Sequence, residues 1–482
     1  MLCTRDHQPA PAKSAPSPGI LKKFAYLLSA RWVRDGLQTA FLIYLARVSS
    51  TTYGEFMLAL GLGSILAFVA DFGLNLPLVS FLSQKERDPG EALSQVALIK
   101  GAILLLSLAG VLGFVQWQDY APPLKRLMLL LGAGMGLEAL ANTFFVALQV
   151  QNRQDLQGKI KALAAGAGFG YGLLALSLGA PPLAVALFKL IESGINLGGA
   201  AYTGLSLSRG RLQWPALRRL GAVLRLGLVF GAIEVAGVTY NKANLFFLQR
   251  YAGTEGVAQY SVSWQMVDGV SILVSNVLLG SILYPLFVHL WETDRAQVSR
   301  LAQNTARWLL AVALLVMFTL CIESDRLIPL IYGPKYPQAV WLQRYLVPAV
   351  VFAFFYNLAA FLIISMRLAR LLLVFCLVAL GLNLLCCLLL IPQAPLLGGA
   401  LAIVVTKGAV ALMTVSYCQR RLGLIPWPAL KQLGGAVLGG GLLYAVSNHF
   451  LPREVAEILA VAPTIALAWH WWRRDRRAHS EQ

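Results

Sequence analysis

Fourteen apolar stretches of membrane-spanning length fill the 482-residue chain almost end to end, and lone Lys and Arg residues sit inside several of them. Hydrophobic residues make up 58% of the composition and charged residues only 13%. A soluble fold would have to bury that apolar surface in one core, with too little polar coating to cover it. In a bilayer the same surface faces lipid, and the backbone closes its hydrogen bonds within helices or a closed barrel. The stretches are long and continuous rather than alternating, which selects helices. The expected fold class is all-α: a polytopic membrane protein of about fourteen transmembrane helices.

Hydropathy with turn and charge punctuation places spans near 24–46, 56–82, 93–115, 127–149, 160–179, 183–207, 222–249 and 257–287. A second series lies near 307–322, 339–364, 369–391, 397–417, 432–450 and 454–472. The connections are short and marked by Pro, Gly or charge, as at Asp88-Pro89-Gly90, Ala180-Pro181-Pro182 and Gly333-Pro334-Lys335. They leave no room for a soluble catalytic domain.

Basic residues set orientation through the positive-inside rule. With both termini cytoplasmic, 26 of the 40 Lys and Arg fall on the cytoplasmic side, 7 on the opposite side and 7 within spans. That bias fits an even number of crossings. The net charge of +18 thus mostly reports topology, with some attraction to anionic lipid headgroups. Nucleic acid is not an expected partner, since no compact basic domain exists to hold it.

The organisation reads as a cytoplasmic N-tail (1–23), a six-helix bundle (24–207), a basic interfacial linker (208–221) and a second six-helix bundle (222–417). A second basic linker (418–431), a final helix pair (432–472) and a basic cytoplasmic tail (473–482) complete it. In the first linker Arg209, Arg211, Arg218 and Arg219 surround Trp214 and Pro215, a pattern suited to the inner leaflet. The bundles look pseudo-symmetric. Arg47 to Phe56 and Arg250 to Tyr260 each carry a basic residue closing one span, then a Gly-containing turn with a nearby aromatic. Weak similarity between halves is what a transporter built from repeats shows.

Further short motifs point the same way. They are Tyr53-Gly54 with Ala70-Asp71-Phe72-Gly73-Leu74, then Gly256 to Ser261, and Leu283-Tyr284-Pro285-Leu286. Leu330-Ile331-Tyr332-Gly333 with Tyr336 follows, and then Asn383, Ile391-Pro392 and Gly398-Gly399-Ala400. Across nearly the whole chain this pattern resembles the polysaccharide (O-antigen-type) flippases of the multidrug/oligosaccharidyl-lipid/polysaccharide exporter superfamily. The resemblance implies two helical bundles in alternating access that pass an undecaprenyl-pyrophosphate-linked sugar repeat unit across the bacterial inner membrane for surface polysaccharide biosynthesis. It also implies both termini inside.

Seven basic residues lie at apparent bilayer depth: Arg31, Arg34, Lys100, Lys189, Lys242, Arg344 and Lys407. Six acids accompany them: Asp35, Asp71, Glu138, Glu192, Glu234 and Asp268. An unpaired charge there is costly, so such groups line a wet cavity, pair with one another or snorkel to an interface. Lys100, near a span end, is the expected snorkeller. Arg31, Arg34, Lys189, Lys242, Arg344 and Lys407 are the candidates for a cationic chamber that takes the pyrophosphate, guanidinium groups being suited to phosphate oxygens. Lys189 and Glu192, spaced i,i+3, equally fit an internal ion pair. Asp71 fits a pair with a basic neighbour or a hinge. Glu138, Glu234 and Asp268 are the candidates for coupling to H⁺ or Na⁺. Tyr240, Tyr260, Trp264 and Tyr356 offer stacking faces to sugars or ordinary packing.

There is no GxxxxGK[ST] phosphate loop and no metal-ligand spacing among the five His, so neither ATP hydrolysis, a cofactor nor a metal is expected. The chain reads as no enzyme. Expected partners are a lipid-linked oligosaccharide, membrane lipids, a coupling H⁺ or Na⁺ and other polysaccharide-assembly proteins. A multidrug and toxin extrusion-type cation-coupled antiporter is the alternative; its chamber would be acidic or aromatic, whereas seven basic groups against six acids lean away from it.

Overall fold

Ser49 sets the first turn. Its backbone is extended (φ −150°, ψ 119°), and its hydroxyl accepts from the Thr52 amide at 3.2 Å, capping the next helix. Helix α1 (Pro18–Val48) therefore reverses directly into α2 (Ser50–Asp71). The sequence had suggested a Gly-containing turn up to residue 56, but Gly54 is helical and buried. Its missing side chain serves packing: a Cβ there would run into the Thr254 carbonyl across the molecule.

The computed structural model describes residues 18–75, 78–79, 82, 89–207, 217–274, 279–280, 283–425 and 427–480. Most of the first basic linker, and the N-tail before residue 18, lie outside them. The remaining helices are α3 (Pro89–Trp117), α4 (Pro122–Val150), α5 (Gln154–Ser177), α6 (Pro182–Leu207) and α7 (Leu217–Val274). Then come α8 (Tyr284–Thr293), α9 (Arg295–Ile322), α10 (Ser324–Tyr332), α11 (Pro337–Leu346) and α12 (Pro348–Ser365). Last are α13 (Ala369–Leu390), α14 (Pro395–Leu422), α15 (Trp427–Phe450) and α16 (Arg453–Ser480). No strand occurs among the described residues, and eleven of the helices are long and apolar enough to cross a membrane. The chain is a multi-pass membrane protein.

Two bundles result. In the first, α4 packs on α2, α3 and α6, while α5 bridges α6 and α1. Gly168 and Gly172 of α5 let α6 approach closely, a Cβ at either meeting Phe188, while Gly166 and Gly170 face open space. In the second, α13 and α14 pack on each other and on α7, and α12 packs on α14 and α9. Helix α7 is two arms joined at Gly253 (φ 66°, ψ −173°), a left-handed backbone that glycine adopts without a Cβ penalty. The second half's expected turn is thus real, unlike its counterpart at Gly54. The span expected over 339–364 is broken by Pro348 into α11 and α12.

Helices α2 and α7 form the long seam between bundles. At one end Gly54 meets Thr254, midway Gly61 faces Leu245 and Lys242, and at the other end Phe72-Gly73 lies on Gly227 and Gly231. The final pair, α15 and α16, docks on the second bundle through α9, where Trp308 meets Trp471 edge-on at 6.4 Å.

Candidate functional site

Four charged side chains from three helices of the first bundle meet at one point. Arg34 of α1 reaches Glu138 of α4 at 2.5 Å and Glu192 of α6 at 2.7 Å. Lys189 of α6 reaches the same two carboxylates at 2.5 and 2.8 Å. Lys189 and Glu192 share a face because they are one helical turn apart. Gly134, one turn before Glu138, lets α4 lie against Lys189: a Cβ there would stand 2.8 Å from Lys189 Cγ. Side-chain exposure falls from 20% at Arg34 through 15% at Glu138 and 6% at Lys189 to zero at Glu192. The two cations and two anions offset one another, which is how buried charge is tolerated, and Lys161 of α5 and Asp35 of α1 act electrostatically on Glu138 and Arg34.

A second ion pair sits where α2 ends. Lys100 Nζ donates to Asp71 Oδ1 at 2.5 Å and to Asn75 Oδ1 at 2.7 Å. Lys100 was expected to snorkel, yet its side chain is fully buried. Burial follows from the reach of α2: Phe72 and Gly73 adopt left-handed backbones (φ 47° and 64°), which end the helix there. Asp71 and Asn75 together satisfy Lys100, so its charge stays within the bundle.

In the second bundle Lys407 of α14 lies 3.5 Å from Asp268 and stands 4.7 Å over the Trp264 ring. Lys242 of α7 lies close enough to act electrostatically on Lys407. Among the described residues it makes no ion pair or hydrogen bond of its own. Its neighbour Asn244 is fully engaged: its amide donates to the Gly399 carbonyl at 2.7 Å, and its oxygen accepts from Asn383 at 3.2 Å.

The other sequence candidates are dispersed. Glu234 lies about two helical turns before Lys242 on α7, within electrostatic range of Asp71 and Lys100 but without a hydrogen bond among the described residues. Arg344 sits on α11 and donates to Ser324 Oγ at 3.1 Å. The Arg31 side chain lies outside the described residues. Of the aromatic candidates, Tyr240, Tyr260 and Trp264 are buried and Tyr356 half-buried, its hydroxyl 3.5 Å from Cys376 Sγ. Among the described residues no group of three or more His, Cys, Asp or Glu is placed to hold a metal ion.

One feature escaped the sequence reading, a set of contacts joining the bundles at the Gly54 end. Arg47 donates to the carbonyls of Leu330 and Ile331. In return Lys335 donates to the carbonyls of Arg47 and Val48 at 3.0 and 2.8 Å, and the Tyr336 hydroxyl to the Ala46 carbonyl at 2.8 Å. The positive-inside rule expects both basic residues on the non-cytoplasmic side, the one hint in the sequence that they meet.

Paired helical bundles, a glycine seam between them and charged groups buried within each define a polytopic membrane protein of two-bundle architecture. A lipid II flippase, MurJ, in an inward closed conformation superposes with a TM-score of 0.72 at 12% identity, over 94% of this chain and 99% of that one. An inward-facing multidrug resistance MATE family transporter of the MOP superfamily gives 0.63 at 14% identity, over 81% and 94%. A MOP superfamily transporter from Pyrococcus furiosus, described as having a binding pocket of reverse polarity, gives 0.57 at 13%, over 84% and 95%. These likenesses establish the fold. A comparison with curated protein sequences finds no match. The family model described as "Polysaccharide biosynthesis protein" matches residues 44–341, and the chain belongs to that family.

Proposed function

We propose that this protein is a membrane transporter that flips an undecaprenyl-pyrophosphate-linked oligosaccharide across the bacterial inner membrane. The two bundles, 24–207 and 222–417, would alternate access to a chamber between them, with both termini cytoplasmic and the basic linkers 208–221 and 418–431 at the inner leaflet. The observation that carries the reading is Lys242. A cation at mid-span is costly unless something neutralises it, and among the described residues Lys242 has no such partner. It lies on the α2/α7 seam, opposite Gly61, where the two bundles meet. A lipid-linked diphosphate supplies the missing charge. The family assignment supports the polysaccharide context. A cationic drug would be repelled at this position, which weighs against the multidrug antiporter.

The test is neutralisation. Lys242→Ala is expected to accumulate lipid-linked oligosaccharide on the inner leaflet while protein levels stay normal, and so is the double change with Glu234→Ala. Restored transport in the double variant would reduce Lys242 to a counter-ion of Glu234 and remove the basis for the diphosphate site.

A further inference from the structure

The end of α16 carries Trp and Arg on two faces with different surroundings. On the inner face Trp471 is buried; its indole N–H donates to Gln432 Oε1 of α15 at 3.0 Å, and Trp308 and Arg307 of α9 lie against its ring. Those contacts fix the rotation of α16 at its end. The outer face presents Trp469 and Trp472, 51% and 36% exposed, whose rings stack with centroids 4.9 Å apart and planes at 25°. Arg473 lies 5.0 Å over the Trp469 ring, and Arg476 lies 3.9 Å over the Trp472 ring. The spacing i, i+3, i+4, i+7 puts all four side chains on one stripe of the helix. A guanidinium stacked on a ring keeps its N–H donors in its own plane, free at the ring edge. Neither Arg473 nor Arg476 makes an ion pair among the described residues. The stripe also straddles a boundary. The apolar span of α16 ends at Arg474, so the two rings stand in its last turns and Arg476 stands just beyond it. From Trp469 to Arg476 is about 10 Å along the helix axis. An occupant must offer apolar substance to the rings and, within that distance, an anion to the guanidinium groups.

We infer that the stripe of Trp469, Trp472, Arg473 and Arg476 is a binding site for the headgroup of an anionic phospholipid. The phosphodiester takes N–H donors from the guanidinium groups, while the glycerol and upper acyl chain cover the stacked indoles at the depth where Trp settles in a bilayer. A soluble polyanion would leave the indoles uncovered, and a zwitterionic lipid would bring its own cation against the two arginines. The site differs from a general attraction of basic residues to an anionic leaflet, because it needs the stacked rings as well as the charge. It is independent of what the protein transports. Because Trp471 ties the same turns of α16 to α9 and α15, a lipid held there braces the final pair against the second bundle.

The melting temperature of the purified full-length protein in detergent reads the site. At about 0.15 M salt, where looser surface attraction is screened, dioleoyl phosphatidylglycerol should raise it by several degrees more than dioleoyl phosphatidylcholine does. Trp469→Leu with Trp472→Leu keeps every charge, and Arg473→Gln with Arg476→Gln keeps both rings; each pair should lose most of that difference. Arg420→Gln with Arg421→Gln removes the same charge from the last turn of α14 and should retain it. Equal responses to the two lipids in the wild type, or an equal loss in the α14 variant, would overturn the inference. A rise of the same size with inorganic phosphate and no lipid would also overturn it, by showing a site for a free anion. All six substituted positions are exposed, so the variants are expected to fold. If one pair of substitutions on α16 does not, the other gives the same reading; failure of both would show that the stripe serves the fold rather than a lipid.

Discussion

Arg47 and Lys335 cap each other's segments across the two bundles. The Arg47 Nε donates to the Ile331 carbonyl at 2.8 Å, while Lys335 Nζ donates to the Arg47 carbonyl at 3.0 Å. Each cation thus satisfies carbonyls that a helix end leaves without intrahelical partners. Tyr53, Tyr332 and Tyr336 pack edge-on or tilted beneath them, with ring centroids 6.2 to 6.4 Å apart. The arrangement closes one end of the interface by contacts that belong to neither bundle alone.

Opening that end must break these bonds, each worth about 1.5–3 kcal/mol when a charged donor is involved. Arg47→Ala with Lys335→Ala should therefore shift the equilibrium toward the conformation open at this end. Ala46 is fully buried beneath the contacts. In a background lacking the native cysteines, Ala46→Cys should resist a membrane-impermeant thiol reagent and become reactive when both cations are removed. Equal protection in the two backgrounds would show that the contacts close nothing.

The opposite end of the seam depends on glycine. A Cβ at Gly231 would stand 2.5 Å from the Phe72 carbonyl carbon, and one at Gly227 would stand 2.9 Å from the Phe72 oxygen. Gly231→Ala should destabilise the purified protein by about 1–3 kcal/mol through overpacking against a backbone that cannot yield. Gly237→Ala, where nothing lies within 4 Å, is the matched control and should leave the melting temperature unchanged or raise it slightly, alanine being the better helix former. Similar losses at both positions would show that the cost does not come from the seam, since helix propensity alone favours alanine at each.

The spans were legible because a long apolar run says the same thing at every residue. Partners across helices were not. Lys189 and Glu192 were readable as a pair, since i,i+3 spacing is local, but nothing near Arg34 in sequence announces Glu138, 104 positions away. Gly54 looked like a turn because glycine signals both turns and close approach; only Thr254, supplied by the other bundle, separates the two. Lys100 looked like a snorkeller because position along a span was known and the reach of Asp71 was not. Arg47 and Lys335 show that residues assigned to one face can be sequence strangers and still form the interface.

The final helix pair is clasped to the second bundle by ions outside the spans. Arg453 holds Asp325 of α10 with two bonds of 2.6 Å each, and those bonds lower the Asp325 pKa to about 2. A carboxylate depressed in the folded state stabilises docking above its unfolded value near 4 and loses that contribution as pH falls through about 2. Proteolysis between α15 and α16, or amide exchange in the first turn of α16, should accordingly increase between about pH 4 and pH 2. In Arg453→Ala the same signal should be high already at neutral pH and change less across that range. A wild-type signal that is flat across the range would assign the docking to apolar contacts such as Trp308 and Trp471.

The Asp71 and Lys100 pair tests whether buried charge in this chain serves position or transport. Removing one partner leaves the other ionised in a low-dielectric surround, at about 3–5 kcal/mol. Lys100→Met should therefore lose most of the folded protein. Removing both partners costs far less, because no charge is left unpaired and Asn can still hydrogen-bond Asn75. Lys100→Met with Asp71→Asn is expected to regain near-normal amounts of folded protein by size-exclusion of detergent extracts. If the regained protein also flips lipid-linked oligosaccharide, the pair only ends α2 and positions the Phe72-Gly73 bend against Gly231. If it folds but does not transport, the pair changes partners during the cycle, and Glu234, which lies within electrostatic range of both, is the group it would exchange with.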